Sequence, residues 1–97
     1  MSYTHVMVLE SSVPWPKVMR AIKKDGEPVL KAQVKAGNLK RWSIVQTGEK
    51  TGFLINEFDN KFQMNKYNKA ASVARQDVGD ALGVQMWAYH GPVKASG

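Results

Sequence analysis

The sequence contains no cysteine. That excludes a disulfide framework, and it excludes thiolate zinc sites and iron–sulfur clusters. No apolar run approaches the roughly 18 residues needed to cross a bilayer. The start of the chain, Met1 to Glu10, lacks the basic opening and small-residue cleavage site of a secretory signal. There is no internal repeat, low-complexity tract or linker. These absences lead us to expect a cytoplasmic protein with no membrane association, folded as one domain over residues 1–97.

Signatures of covalent and phosphate chemistry are missing as well. The chain has no G-x-S-x-G elbow, no P-loop and no Gly-rich phosphate loop. An enzyme built on this sequence would work by proton transfer, or on a substrate that oxidises unaided. Acidic residues are also in the minority, eight against fourteen basic, for a net charge of +6. A basic footprint suits nucleic acid or an anionic ligand. The lysines scatter, however, and no more than two basic residues are adjacent, so solvated helix faces are the plain reading. The hydrophobic fraction of 43% suits a folded domain. At this length the core is modest, and a partner's surface would add to it.

The apolar residues order the chain. Tyr3 to Glu10, with Val6-Met7-Val8-Leu9, reads as a strand. Prolines 14 and 16 break it and open a helical stretch over 15–36, in which Asp25-Gly26-Glu27-Pro28 imposes a kink or a break. Gly37-Asn38 stops it. Arg41 to Thr47 and Thr51 to Phe58 form a hairpin. Asp59 and Asn60 are caps, with Gln63 placed as in a capping box. Tyr67, Ala70, Ala71, Ala74, Val78, Ala81 and Leu82 then recur at helical spacing as far as Gly83. Val84 to His90 is a fourth strand.

The order β-α-β-β-α-β, with right-handed crossovers, predicts an α+β fold of the ferredoxin-like type. It has a four-stranded antiparallel sheet, two helices on one face, and the first strand between the third and fourth. Side chains alternate across a strand. Residue size turns Val84, Met86 and Ala88 toward the helices and Trp87 and Tyr89 to the open face. In the first strand the same reasoning turns Val6 and Val8 inward and His5, Met7 and Leu9 outward. In the third, it turns Phe53 and Ile55 inward and leaves Leu54, Asn56 and Phe58 open, since burying Asn56 without a partner costs about 1–3 kcal/mol. The open face so defined carries Met7, Leu9, Leu54, Phe58, Trp87 and Tyr89. It is too apolar to stay wet, which predicts a homodimer through the sheet, a small apolar ligand, or both.

With this element order, the run Phe53-Leu54-Ile55-Asn56-Glu57-Phe58-Asp59 and the aromatic strand Val84-Gln85-Met86-Trp87-Ala88-Tyr89, the chain resembles the dimeric α/β-barrel superfamily. The likeness spans Tyr3 to His90. It implies a ferredoxin-like monomer packed through its sheet on a twin, with one cavity per subunit. That superfamily includes cofactor-free monooxygenases, isomerase-like enzymes, haem-degrading enzymes and stress-responsive proteins. No catalytic residue carries over. We expect no cofactor or metal, although the resemblance leaves haem open.

Among residues able to do chemistry, His5 is the candidate acid or base, with Tyr89 as its companion. Asn56 would help to orient a ligand oxygen, and Met7, Leu9, Leu54, Phe58 and Trp87 would line a pocket or a dimer face. The plain alternative for these side chains is packing with satisfied polar tips. Strand parity puts His5 and His90 on opposite faces, which argues against a shared metal. Glu57 and Asp59 read better as a strand end and a cap than as a catalytic pair. Three functions stay open: a homodimer that binds a small apolar molecule, with or without converting it, an accessory dimer without catalysis, and an RNA-binding module hinted at by Gly52-Phe53.

Overall fold

A computed structural model describes residues 2–97. Its elements run β1 (Tyr3–Glu10), α1 (Trp15–Ala21), one π-helical turn (Ile22–Gly26), α2 (Glu27–Lys35), β2 (Arg41–Gln46), β3 (Thr51–Phe58), α3 (Lys61–Leu82) and β4 (Gln85–Pro92). The four strands form one antiparallel sheet in the order β2-β3-β1-β4. This is the ferredoxin-like arrangement, with the helices on one face.

Local chemistry accounts for the boundaries. The expected break at Pro28 is a change of hydrogen-bond step. The regular ladder gives way to a π turn, closed by a bond from the Glu27 N–H to the Ile22 carbonyl. α2 then carries Pro28 in its first turn, where a missing N–H does no harm. Asn60 caps α3, its side chain accepting from the Gln63 N–H at 2.9 Å. Asp59 takes no part in that cap. Gly83 ends α3 in the left-handed conformation at φ 61°. At Gly52 the Trp15 indole comes close against the β3 backbone, where any Cβ would overlap its ring.

The register corrects the expected faces of two strands. His5, Met7 and Leu9 of β1 are buried, as are Leu54, Asn56 and Phe58 of β3. These six side chains lie under the helices, not on the open face. Cross-strand partners share a face, and Val8 pairs with both Phe53 and Trp87, while Val6 pairs with Ile55 and Tyr89. The open face therefore holds Val6, Val8, Phe53, Ile55, Trp87 and Tyr89. Trp87 and Tyr89 are where residue size puts them. The inversion has a physical cause: both faces are apolar, so alternation carries no polar marker. The one polar residue that could choose between them, Asn56, is buried despite the cost.

Candidate active site

On the helix side, β1, β3 and β4 bring together a row of polar groups at one end of the sheet. His5 pairs with Asn56 of β3 and with His90 of β4. The two histidine rings stack with centroids 6.5 Å apart. This corrects the expectation that they occupy opposite faces. The Tyr3 hydroxyl and His90 Nδ1 lie 3.2 Å apart, at the exposed end of the row. α3 covers the buried end. Tyr67 lies 3.4 Å from the Asn56 amide through its hydroxyl and packs its ring against Phe58 at 5.4 Å. Two helical turns further on, Arg75 lays its guanidinium over the Tyr67 ring at 5.3 Å and donates from Nη2 to Asn68 Oδ1 at 2.8 Å.

Hydrogen bonding here is incomplete. Among the described residues, the buried side-chain polar atoms without a partner are His5 Nδ1, Asn56 Oδ1 and Arg75 Nε. All three belong to this group. Turning the Asn56 amide over would pair its oxygen with the Tyr67 hydroxyl, but would leave its nitrogen unpaired instead. Burial holds His5 far below the usual imidazole range, at about 4, with the nearby charge of Arg75 and then His90 adding to the effect. His5 is therefore a neutral imidazole at pH 7. Burial raises the Tyr67 hydroxyl above its ordinary value, against the opposing charge of Arg75. It stays a neutral donor.

Beside these groups lies a cavity of about 50 Å³. Its apolar wall comes from Met7, Leu9 and Leu54 of the sheet, Ile22 of the π turn and Leu30 of α2, while Tyr67 and Arg75 close it from α3. A π turn in the wall fits the frequent use of such turns at functional sites. The volume exceeds the ~10–15 Å³ that one water needs. It is far below the several hundred Å³ of a drug-sized pocket. As it stands, it admits a small molecule and not a macrocycle such as haem. Among the described residues, no three His, Cys, Asp or Glu side chains gather to hold a metal ion.

Of the residues singled out from the sequence, Met7, Leu9 and Leu54 line the cavity, and His5, Asn56 and Phe58 lie beside Tyr67. Trp87 and Tyr89 are on the opposite side of the sheet, 44% and 67% exposed. His5 and Tyr89 are thus not brought together. Glu57 pairs with Arg41 at 3.4 Å, away from the cavity. Sequence reasoning misses Tyr67 as a polar group and misses Arg75. Periodicity marks Tyr67 as core, yet it is the one residue with a hydroxyl in the apolar stripe of α3. Arg75 directly follows Ala74 of that stripe, and this is the available signal.

No protein-family model matches the chain, and no curated protein matches it in sequence. Solved structures match it in shape. A dimeric ferredoxin-like protein from an uncultured marine organism superposes with a TM-score of 0.78 at 12% identity, over 98% of this chain and 90% of its own. A cofactor-independent oxygenase from Streptomyces nogalater gives 0.79 at 7% identity, over 98% and 95%. A putative antibiotic biosynthesis monooxygenase from Nitrosomonas europaea gives 0.69 at 12%, over 97% and 93%. At such identities the likeness is one of fold alone, and that fold is ferredoxin-like.

Proposed function

We propose that the protein is a homodimer that binds a small apolar molecule bearing one polar group, in the cavity between the helices and the sheet. The observation that carries the reading is the apolar cavity closed by Tyr67 and Arg75, next to a buried polar group in which His5 Nδ1, Asn56 Oδ1 and Arg75 Nε have no partner. Each such atom costs about 1–3 kcal/mol, and a purely structural dimer gains nothing in return. If the ligand is converted, the neutral donors and the Arg75 charge would stabilise an oxyanion, while His5 is too weak a base at neutral pH to start the reaction alone.

Support for the dimer is the apolar open face together with structural neighbours described as dimeric. The same face, with Phe53, Trp87 and Tyr89, also has the makings of a base-stacking platform. Strong salt-sensitive RNA binding by a monomer would displace the dimer reading.

The test is thermal melting of the chain against a panel of small aromatic and aliphatic ligands, with Ala74→Leu to fill the cavity. A ligand that raises the melting temperature of the native chain and not of Ala74→Leu supports the site. A flat response across the panel in both proteins would return the protein to the accessory class.

A further inference from the structure

We propose that the outer face of the helix layer docks on an anionic lipid bilayer, at the end where α2 finishes and α3 begins. The contact is with the bilayer surface, since no helix among the described residues is long and apolar enough to cross a membrane. It lies on the far side of the molecule from the open sheet face, so a twin on the sheet leaves it free.

The charge of the chain is confined to one layer. The helical segments 15–35 and 61–82 carry ten basic residues against four acidic ones. The strands and their connections carry four of each, so the whole net charge of +6 sits on the helices. The charges of α3 also run against its own stability. It has no acidic residue in its first turn and no basic one in its last; it starts on Lys61, and its acids, Asp77 and Asp80, come near its end. A helix dipole favours the reverse order, so helix stability does not explain the arrangement. Arg41 of β2 pairs with Glu57 of β3, so α2 ends and α3 begins at the same end of the sheet. Lys35 of α2 and Lys61, Lys66 and Lys69 of α3 are exposed there, and none of them forms an ion pair with a described residue.

Apolar side chains choose the partner. Phe62, Lys66, Lys69 and Val73 recur at i, i+4, i+7 and i+11, which makes one stripe of α3, opposite the stripe of Met64, Tyr67, Ala71 and Val78 that faces the core. Phe62 and Val73 are 66% and 67% exposed. Lys66 Nζ sits 4.7 Å over the Phe62 ring, so charge and ring are presented together. A merely solvated basic face has no use for two large apolar side chains at its crest. A polynucleotide would satisfy the lysines and stack on Phe62, but it offers nothing to Val73. A bilayer interface satisfies all of them: anionic headgroups take the lysines, and the acyl boundary takes Phe62 and Val73. The residue type agrees, since lysines are point charges suited to a diffuse negative surface, without the fork by which arginine reads a phosphate.

The test is co-sedimentation of the full chain with vesicles of phosphatidylcholine alone, and of phosphatidylcholine with an equal part of phosphatidylserine. The chain should bind the mixed vesicles and not the neutral ones, and added salt should weaken the binding. Lys66→Gln and Lys69→Gln should each weaken it roughly fivefold, and Phe62→Ser roughly tenfold. Lys50→Gln, in the turn between β2 and β3, should change nothing. All of these positions are exposed, so melting temperatures matching the native chain serve as the folding control. No binding to the mixed vesicles, or equal binding to both kinds, would overturn the proposal. An equal loss from Lys50→Gln would overturn it too, since net charge alone would then be acting, as would Phe62→Ser binding as well as the native chain. Tight, salt-sensitive binding to a random-sequence DNA duplex without vesicle binding would give the face to nucleic acid instead.

Discussion

The two faces of the sheet are comparably apolar, yet they differ in what is left unfinished. On the helix side, Phe58 and Met7 are sealed by the chain's own helices, and the unfinished elements are three hydrogen-bonding atoms. On the open side no polar side-chain atom is stranded among the described residues, and the unfinished element is apolar area, with Val45, Trp87 and Tyr89 each more than 40% exposed. Missing hydrogen bonds call for a small, directional guest. Missing apolar burial calls for a broad, non-directional surface. On the proposed function, ligand and twin would therefore lie on opposite sides of one sheet.

Truncation separates the two faces most sharply. Phe58 is fully buried against Tyr67. Phe58→Ala should cost about 3–5 kcal/mol, at any protein concentration. Trp87→Arg should leave the subunit's own fold nearly untouched and weaken association, so that its melting temperature loses the concentration dependence expected of a native dimer and its sedimentation approaches that of a monomer. Matching, concentration-independent losses in both variants would erase the distinction between the faces.

Acid offers the next largest effect. His5 is depressed in the folded state from 6.5 to about 4. Between those values the unfolded chain binds a proton at this position and the folded chain does not. Stability should therefore be flat above pH 6.5 and fall as the pH drops toward 4, by up to about 3 kcal/mol. Carboxylates add their own slope at the acid end. His5→Gln isolates the histidine by lacking the decline between pH 6.5 and 5. Parallel pH profiles for the two proteins would mean that His5 titrates as freely when folded as when unfolded.

How much of this is legible in the sequence follows from what each residue can signal. Element order and strand order are readable, because Pro14, Gly37, Asn60 and Gly83 punctuate the chain by local chemistry. The face of each strand is not. Val6 against Met7, or Ile55 against Leu54, is a choice between two apolar side chains, and only the pairing register decides it. Asn56 points the wrong way for an instructive reason. The rule that buried amides must be satisfied is one that binding sites often break, and here it fails beside the candidate site. The encounter of His5 with His90 is hidden by the same error, since one wrong strand parity separates residues that are direct partners. Arg75 and Tyr67, eight residues apart on α3, meet only because the helix lays both over the same end of the sheet.

The smallest effect discriminates best, because its sign differs between the two accounts of the polar cluster. Asn56 is fully buried and Tyr67 nearly so, and they are each other's hydrogen-bond partner at a long 3.4 Å. Replacing both at once, Asn56→Leu with Tyr67→Phe, removes a poor hydrogen bond and the stranded amide atom, and substitutes apolar groups of similar size. If the cluster exists for a ligand, stability should hold or rise by about 1 kcal/mol while ligand binding disappears. If the pair instead holds the helix to the sheet, the double variant should melt earlier, and the two single changes should show a favourable coupling. Denaturant melts of the native chain, both single variants and the double variant give that coupling directly. A stabilised chain that no longer binds would mean that Asn56 and Tyr67 are kept there at the expense of the fold, for the sake of what enters the cavity.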